Sequence, residues 1–250
     1  MEVEIDGSAG GDAVDPADAE AIRLALEATR GRMAEACALA GREENSVRLL
    51  LATKTVSPER IRVAIKAGAD LVGENRVQEV RPKYEALRDL AYERHFIGHL
   101  QSNKVNALVP YVNCIESLDR LSLADRLQNK LERDGETRQV LLQVNTSGEE
   151  SKFGVPPEEA LEFAREVARR DALEVQGLMT IGLFSEDPET TRPSLRLLRE
   201  VADRIREESI PGVEMNELSM GMSNDLEVAI EEGATIVRVG SAIFGSRPNP

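Results

Sequence analysis

Eight short apolar runs, many of them β-branched, alternate along this chain with amphipathic charged stretches. The runs cover 49–53, 69–73, 95–98, 112–116, 140–145, 173–181, 213–219 and 234–240. Strands that are apolar almost throughout and separated by helices imply a parallel sheet covered on both faces. Eight such units in about 200 residues fit a closed (β/α)8 barrel of the TIM type, an α/β fold, better than an open sheet. The glycine fingerprint that follows the first strand of an open dinucleotide-binding sheet is missing; LLLATKTVSPER stands there instead.

A further helix precedes the first run. Asp15 can cap it, Pro16 suits its first position, and Gly41 is placed to end it. Ile22, Leu26, Thr29, Met33, Cys37 and Ala40 form one stripe at helical spacing. Only about ten residues follow the eighth run, too few for a full closing helix, so the N-terminal helix is expected to cover that gap. No Pro- or Gly-rich linker divides the chain, which reads as one domain over 15–250 behind a flexible acidic terminus, 1–14.

Composition removes several function classes. A net charge of −14 over 250 residues repels nucleic acid and anionic lipid, and 3 % aromatics without Trp argues against base-stacking platforms. Two cysteines without a CxxC pair make no disulfide framework, and the two histidines, four apart but across a strand end and a turn rather than along a helix, make no convincing metal site. The acidic N-terminus lacks the apolar run of a signal peptide, and no stretch approaches the roughly 20 apolar residues of a membrane span. The expectation is a cytoplasmic protein. The acidic surface leans towards a monomer.

In a barrel of this kind chemistry gathers at the C-terminal ends of the strands. Lys54 follows the first run, Glu74 and Asn75 the second, His99 the third and Asn145 the fifth. A lysine beside low-dielectric walls is driven towards the neutral amine, which can attack a carbonyl and form a Schiff base. Taken alone, Lys54 reads more readily as a strand-end lysine whose ammonium reaches solvent. In RVGSAIFG, Gly240 allows close backbone approach and Ser241 opens a short turn whose N–H groups can hold a phosphate. GMSND precedes a helix, so Ser223 can offer its hydroxyl and a helix N-terminus to the same anion. Arg238 shares a strand face with Gly240, and as a buried arginine needs an acceptor: a carboxylate such as Glu74, or a ligand ring or acid group. His95 and His99 read as satisfied structural histidines, and Cys37 and Cys114 as core.

The strings LLATKT (50–55), GENRVQE (73–79), HFIGHLQSNK (95–104), QVNTSGEESKFG (143–154), GLMTIG (177–182) and LSMGMSNDLEVAIEEGATIVRVGSAIFG (218–245) closely resemble the pyridoxal phosphate homeostasis protein family, from about residue 20 onwards. The resemblance implies a fold-type III barrel like the N-terminal domain of alanine racemase. It implies that Lys54 carries pyridoxal 5′-phosphate as a Schiff base and that Asn75 lines the cofactor. It further implies that Ser223 and the amides of Gly240 and Ser241 hold the phosphate, and that Arg238 faces the pyridine nitrogen. The sequence departs from the pattern at Arg94, where an aromatic residue is expected, at Glu116, often Ser or His, and at Pro82 inside the second helical stretch.

Three functions follow. The first is a non-catalytic protein that holds or delivers the cofactor, with apo pyridoxal-phosphate enzymes as partners. The second is an amino-acid racemase or decarboxylase on the same barrel. The third is a lysine aldolase for a sugar phosphate. Turnover is not expected, because an arginine at the ring nitrogen weakens the electron sink. The racemases also complete their second face with a β domain across a dimer, which is not expected here.

Overall fold

The computed structural model describes residues 14–149, 151–183 and 185–245. The expected flexible acidic terminus lies, apart from Val14, outside the described residues. Helix α1 (Pro16–Leu39) starts where Asp15 accepts the Ala17 N–H at 3.1 Å. It ends in a Schellman turn: Gly41 N–H donates to Ala38 and Arg42 N–H to Cys37.

Eight strands then alternate with helices: β1 (Arg48–Ala52), α2 (Pro58–Lys66), β2 (Leu71–Glu74), α3 (Val77–Leu87), β3 (Glu93–Phe96), α4 (Val105–Leu108), β4 (Cys114–Leu118), α5 (Leu121–Asp134), β5 (Arg138–Gln143), α6 (Ala160–Val167), β6 (Leu173–Met179), α7 (Arg192–Glu207), β7 (Val213–Ser219), α8 (Leu226–Glu231), β8 (Ile236–Val239) and α9 (Ser241–Phe244). All pairings are parallel and β1 meets β8, Leu50 opposite Arg238, so the sheet closes on itself as expected. Pro82 does not break α3, which runs through it to Leu87; buried Val80 and Leu87 dock the helix on both sides of the proline.

Residues alternate between two cores. Leu51, Val72, Phe96 and Ile115 face the helices, whereas Leu50, Leu71, Ile97 and Ile236 pack together inside the barrel, as do Cys114, Leu141 and Met179. Cys114 opens β4, and Cys37 lies in the helix-side core. The four-residue α9 cannot cover β8, and α1 packs against α2, α8 and α9 instead, filling the place of a closing helix. Among the described residues no helix is long and apolar enough to cross a membrane.

Candidate functional site

A cavity of about 400 Å³ opens at the C-terminal mouth of the barrel. Lys54, Ser223, Arg238, Gly240 and Ser241 all line it, joined by Arg60, Met222, Asp225 and Phe244. Asn75 is not part of that lining. It follows β2 directly, and its side-chain Oδ1 is buried with no hydrogen-bond partner.

Lys54 is half-buried in the turn after β1, and Thr55 beside it takes φ +64°, a left-handed conformation unusual for a β-branched residue. The turn is braced from α3. Lys83 Nζ donates to the Thr53 carbonyl at 2.7 Å, to Glu74 Oε1 at 2.8 Å and to Glu79 Oε2 at 2.9 Å. Thr55 N–H donates to Glu79 at 2.9 Å, and the Thr53 hydroxyl bonds to Glu74. Burial pushes the Glu74 carboxyl up against the pull of Lys83. In Glu79, burial is overcome by the hydrogen bonds from Lys83 and Thr55, which bring it below its ordinary value. Glu74 is therefore the partner of Lys83 and Thr53, not of Arg238 as the sequence allowed.

Beside this turn in the closed barrel, the ends of β7 and β8 are locked together. Met220 N–H donates to Ile236 and Arg238 N–H to Gly221, both at 3.0 Å. Gly221 has φ +86°, and a Cβ there would lie 2.3 Å from that of Ala229. Ser223 is not the helix cap: α8 begins at Leu226 behind Asp225, whose carboxylate accepts the Met222 N–H at 2.6 Å. What Ser223 brings is its hydroxyl, 3.5 Å from that of Ser241. Ser241 opens α9, in which the amides of Ile243 and Phe244 already donate to the Gly240 carbonyl, at 3.0 and 2.9 Å. Gly240 has a packing reason as well: a Cβ would lie 2.8 Å from the Ala52 carbonyl oxygen, so the residue lets β8 close against β1.

Two arginines that the sequence did not single out tie this wall to other elements. Arg32 on α1 donates to the Ser223 carbonyl at 3.1 Å and forks onto Glu227. Arg60 on α2 forks onto Asp18 at 2.8 Å and donates to the Phe244 carbonyl at 3.0 Å. Arg94 lies away from the cavity, its guanidinium over the rings of Tyr84 and Tyr92.

Arg238 is buried, donating to the Ser219 hydroxyl at 2.8 Å and to the Thr180 carbonyl at 2.6 Å. Burial pulls its guanidinium below the ordinary value, with Glu116 opposing. Inside the barrel His95 lies between two carboxylates, Glu116 at 2.6 Å and Glu93 at 2.8 Å. Burial alone would lower its pKa; the two acids raise it to about 9. His99 stacks on Phe153, ring centroids 3.7 Å apart.

Residues 26–248 match the family described as alanine racemase, N-terminal domain. The chain is 50 % identical over 216 residues to the pyridoxal phosphate homeostasis protein of Aquifex aeolicus, covering 86 % of this chain and 94 % of that one. The chain belongs to the pyridoxal phosphate homeostasis protein family. Two solved structures are similar throughout. An unknown protein from Bifidobacterium adolescentis is 43 % identical at a TM-score of 0.90, covering 93 % of this chain and 98 % of that one. PipY of Synechococcus elongatus, solved with PLP bound, is 33 % identical at a TM-score of 0.75, covering 85 % and 100 %.

Proposed function

We propose that this chain binds pyridoxal 5′-phosphate covalently on Lys54 and serves intracellular homeostasis of that cofactor, without substantial catalysis of its own. The observation that carries the reading is that one cavity is lined together by Lys54, Ser223, Arg238, Gly240 and Ser241. When bound, the cofactor supplies an aldehyde carbon open to an amine, and a phosphate dianion. Lys54 would provide the amine. The two hydroxyls and the amides of Gly240 and Ser241 would hold the phosphate, and Arg238 would donate to the pyridine nitrogen. The buried, unpartnered Oδ1 of Asn75 fits a place beside the cofactor.

The lining also supports holding rather than turnover. Among the described residues of the cavity wall there is no tyrosine, histidine or cysteine. A guanidinium is a poor proton acceptor, and Asp225 is engaged by Met222 N–H. A second acid–base group facing Lys54 across a substrate, which two-base racemisation needs, is therefore not supplied by that wall. The acidic surface suits a monomer in the cytoplasm that passes its cofactor to apo enzymes and avoids nucleic acid.

The test is to load the purified protein, reduce it with borohydride, and map the modified peptide by mass spectrometry. A reduced adduct on Lys54 is expected. A stable adduct elsewhere, or none, would overturn the assignment. Steady racemisation of single-enantiomer amino acids in deuterium oxide that disappears in Lys54→Ala would put the enzyme reading first.

A further inference from the structure

A chain of buried polar groups runs down the barrel interior from Arg238. Arg238 Nη1 donates to Ser219 Oγ at 2.8 Å, and Ser219 Oγ donates to Glu116 Oε2 at 2.5 Å. The other Glu116 oxygen faces His95 Nδ1 at 2.6 Å, His95 Nε2 faces Glu93 at 2.8 Å, and Glu93 reaches Arg48 at the N-terminal end of the barrel. Glu116 and Ser219 have no solvent exposure. Nothing in the proposed binding role uses Glu116, yet an ionised carboxylate in a barrel core is costly unless its partners are arranged for it.

The direction of the chain follows from proton counting. An ionised carboxylate only accepts, so the single Ser219 hydroxyl proton must point to Glu116. That leaves the Ser219 lone pairs turned to Arg238, which only donates. Burial would raise the Glu116 pKa, but the His95 hydrogen bond and charge, then Arg238 and Ser219, bring it below the ordinary value. The carboxylate therefore polarises the hydroxyl and fixes one arrangement of the guanidinium, whose other arm is held by the Thr180 carbonyl at 2.6 Å. With a neutral amide at position 116 the hydroxyl proton is no longer committed, and one available rotamer aims it at Arg238.

We propose that Glu116, acting through Ser219, is the positioning residue that aims Arg238 at the pyridine nitrogen of the cofactor. This rests on the binding role proposed above, and the experiment keeps the two apart. Affinities for pyridoxal 5′-phosphate and for its 1-deaza analogue, in which the ring nitrogen is replaced by CH, are measured on the full chain by equilibrium dialysis. Glu116→Gln is expected to weaken pyridoxal 5′-phosphate by about tenfold, the scale of one net hydrogen bond. It should leave the analogue within about twofold. Ser219→Ala, which keeps the carboxylate, should give the same selective loss, and Glu116→Gln should add nothing in the Ser219→Ala background. An equal loss for both ligands would mean a packing role only and would overturn the proposal, as would no loss for either. If Arg238→Gln abolishes the preference of the wild type for the ring nitrogen while Glu116→Gln and Ser219→Ala do not touch it, the binding reading stands and the proposal fails. If the wild type binds both ligands without such a preference, the proposal fails and the binding reading stands; if it binds neither ligand, both fail.

Discussion

Lys83 Nζ donates to the carbonyl of Thr53 at 2.7 Å, so a lysine on α3 grips the backbone one residue before Lys54. The same ammonium neutralises Glu74 and Glu79, so it both shapes the turn and keeps two acids beside it in place. Removing it strands a buried carboxylate. Lys83→Met is expected to destabilise the fold by roughly 3–5 kcal/mol in urea titration. The double variant with Glu74→Gln should recover part of that loss. Recovery of nothing would mean that Lys83 matters only to the Thr53 carbonyl.

Lys54→Ala should abolish the borohydride-fixed adduct yet keep measurable binding. The hydroxyls of Ser223 and Ser241 and the amides of Gly240 and Ser241 remain, and charge-assisted hydrogen bonds contribute roughly 1.5–3 kcal/mol each. Equilibrium dialysis of the folded variant decides it. Complete loss would mean that the phosphate wall is assigned wrongly.

Ser223→Ala should weaken cofactor affinity by about 1–2 kcal/mol, because the amide donors persist. Gly240→Val should do far more, and to the protein as well as the ligand, since its Cβ would meet the Ala52 carbonyl oxygen at 2.8 Å. Thermal melts of the ligand-free proteins separate the two effects. Equal behaviour of the two variants would contradict the close approach of β8 to β1.

His95 gives stability a pH dependence of definite sign. Its folded pKa, about 9, stands above the unfolded value of 6.5, so the folded state keeps a proton that the unfolded state has released. The contribution is complete below about pH 6.5 and is lost as pH rises through 9, with a slope approaching 1.4 kcal/mol per pH unit between them. Glu93, Glu116, Glu217, Arg48 and Cys114 share that interior. Of these, Glu93 and Glu116 are depressed and contribute in the opposite sense, losing stability only as pH falls well below their ordinary range. Urea titrations from pH 6.5 to 8 on wild type and His95→Gln check it, below the range in which the Cys114 thiol, also pushed up by burial, adds a slope of the same sign: the slope should be largely lost in the variant.

The barrel and its mouth were legible because strand and helix differ in hydrophobic period and because strand ends expose their polar residues in order. Lys54, Ser223, Arg238, Gly240 and Ser241 needed only that order to fall on one cavity. Contacts set by register between elements were not legible. Lys83 and Glu79 share a helix face in the sequence, but the reach of Lys83 to Thr53 depends on how α3 lies over β1 and β2. Glu116 looked like a mere departure from pattern because its partners, His95 and Ser219, sit 21 and 103 residues away. The helix N-terminus expected at Ser223 starts further on because Asp225, two residues along, takes the cap position.

The helix that substitutes for a closing segment has a consequence for the order of assembly. Arg32 grips the Ser223 backbone across 191 residues, and Arg60 grips that of Phe244 across 184. Contacts of such sequence separation form late, after most loop-closure entropy has been overcome. The wall that carries Ser223 and Ser241 therefore does not exist on a nascent or partly folded chain; it comes into being only when the two ends of the ring meet. A phosphate ligand that recognises this wall binds the finished barrel alone, and so draws the last closure event towards completion by mass action.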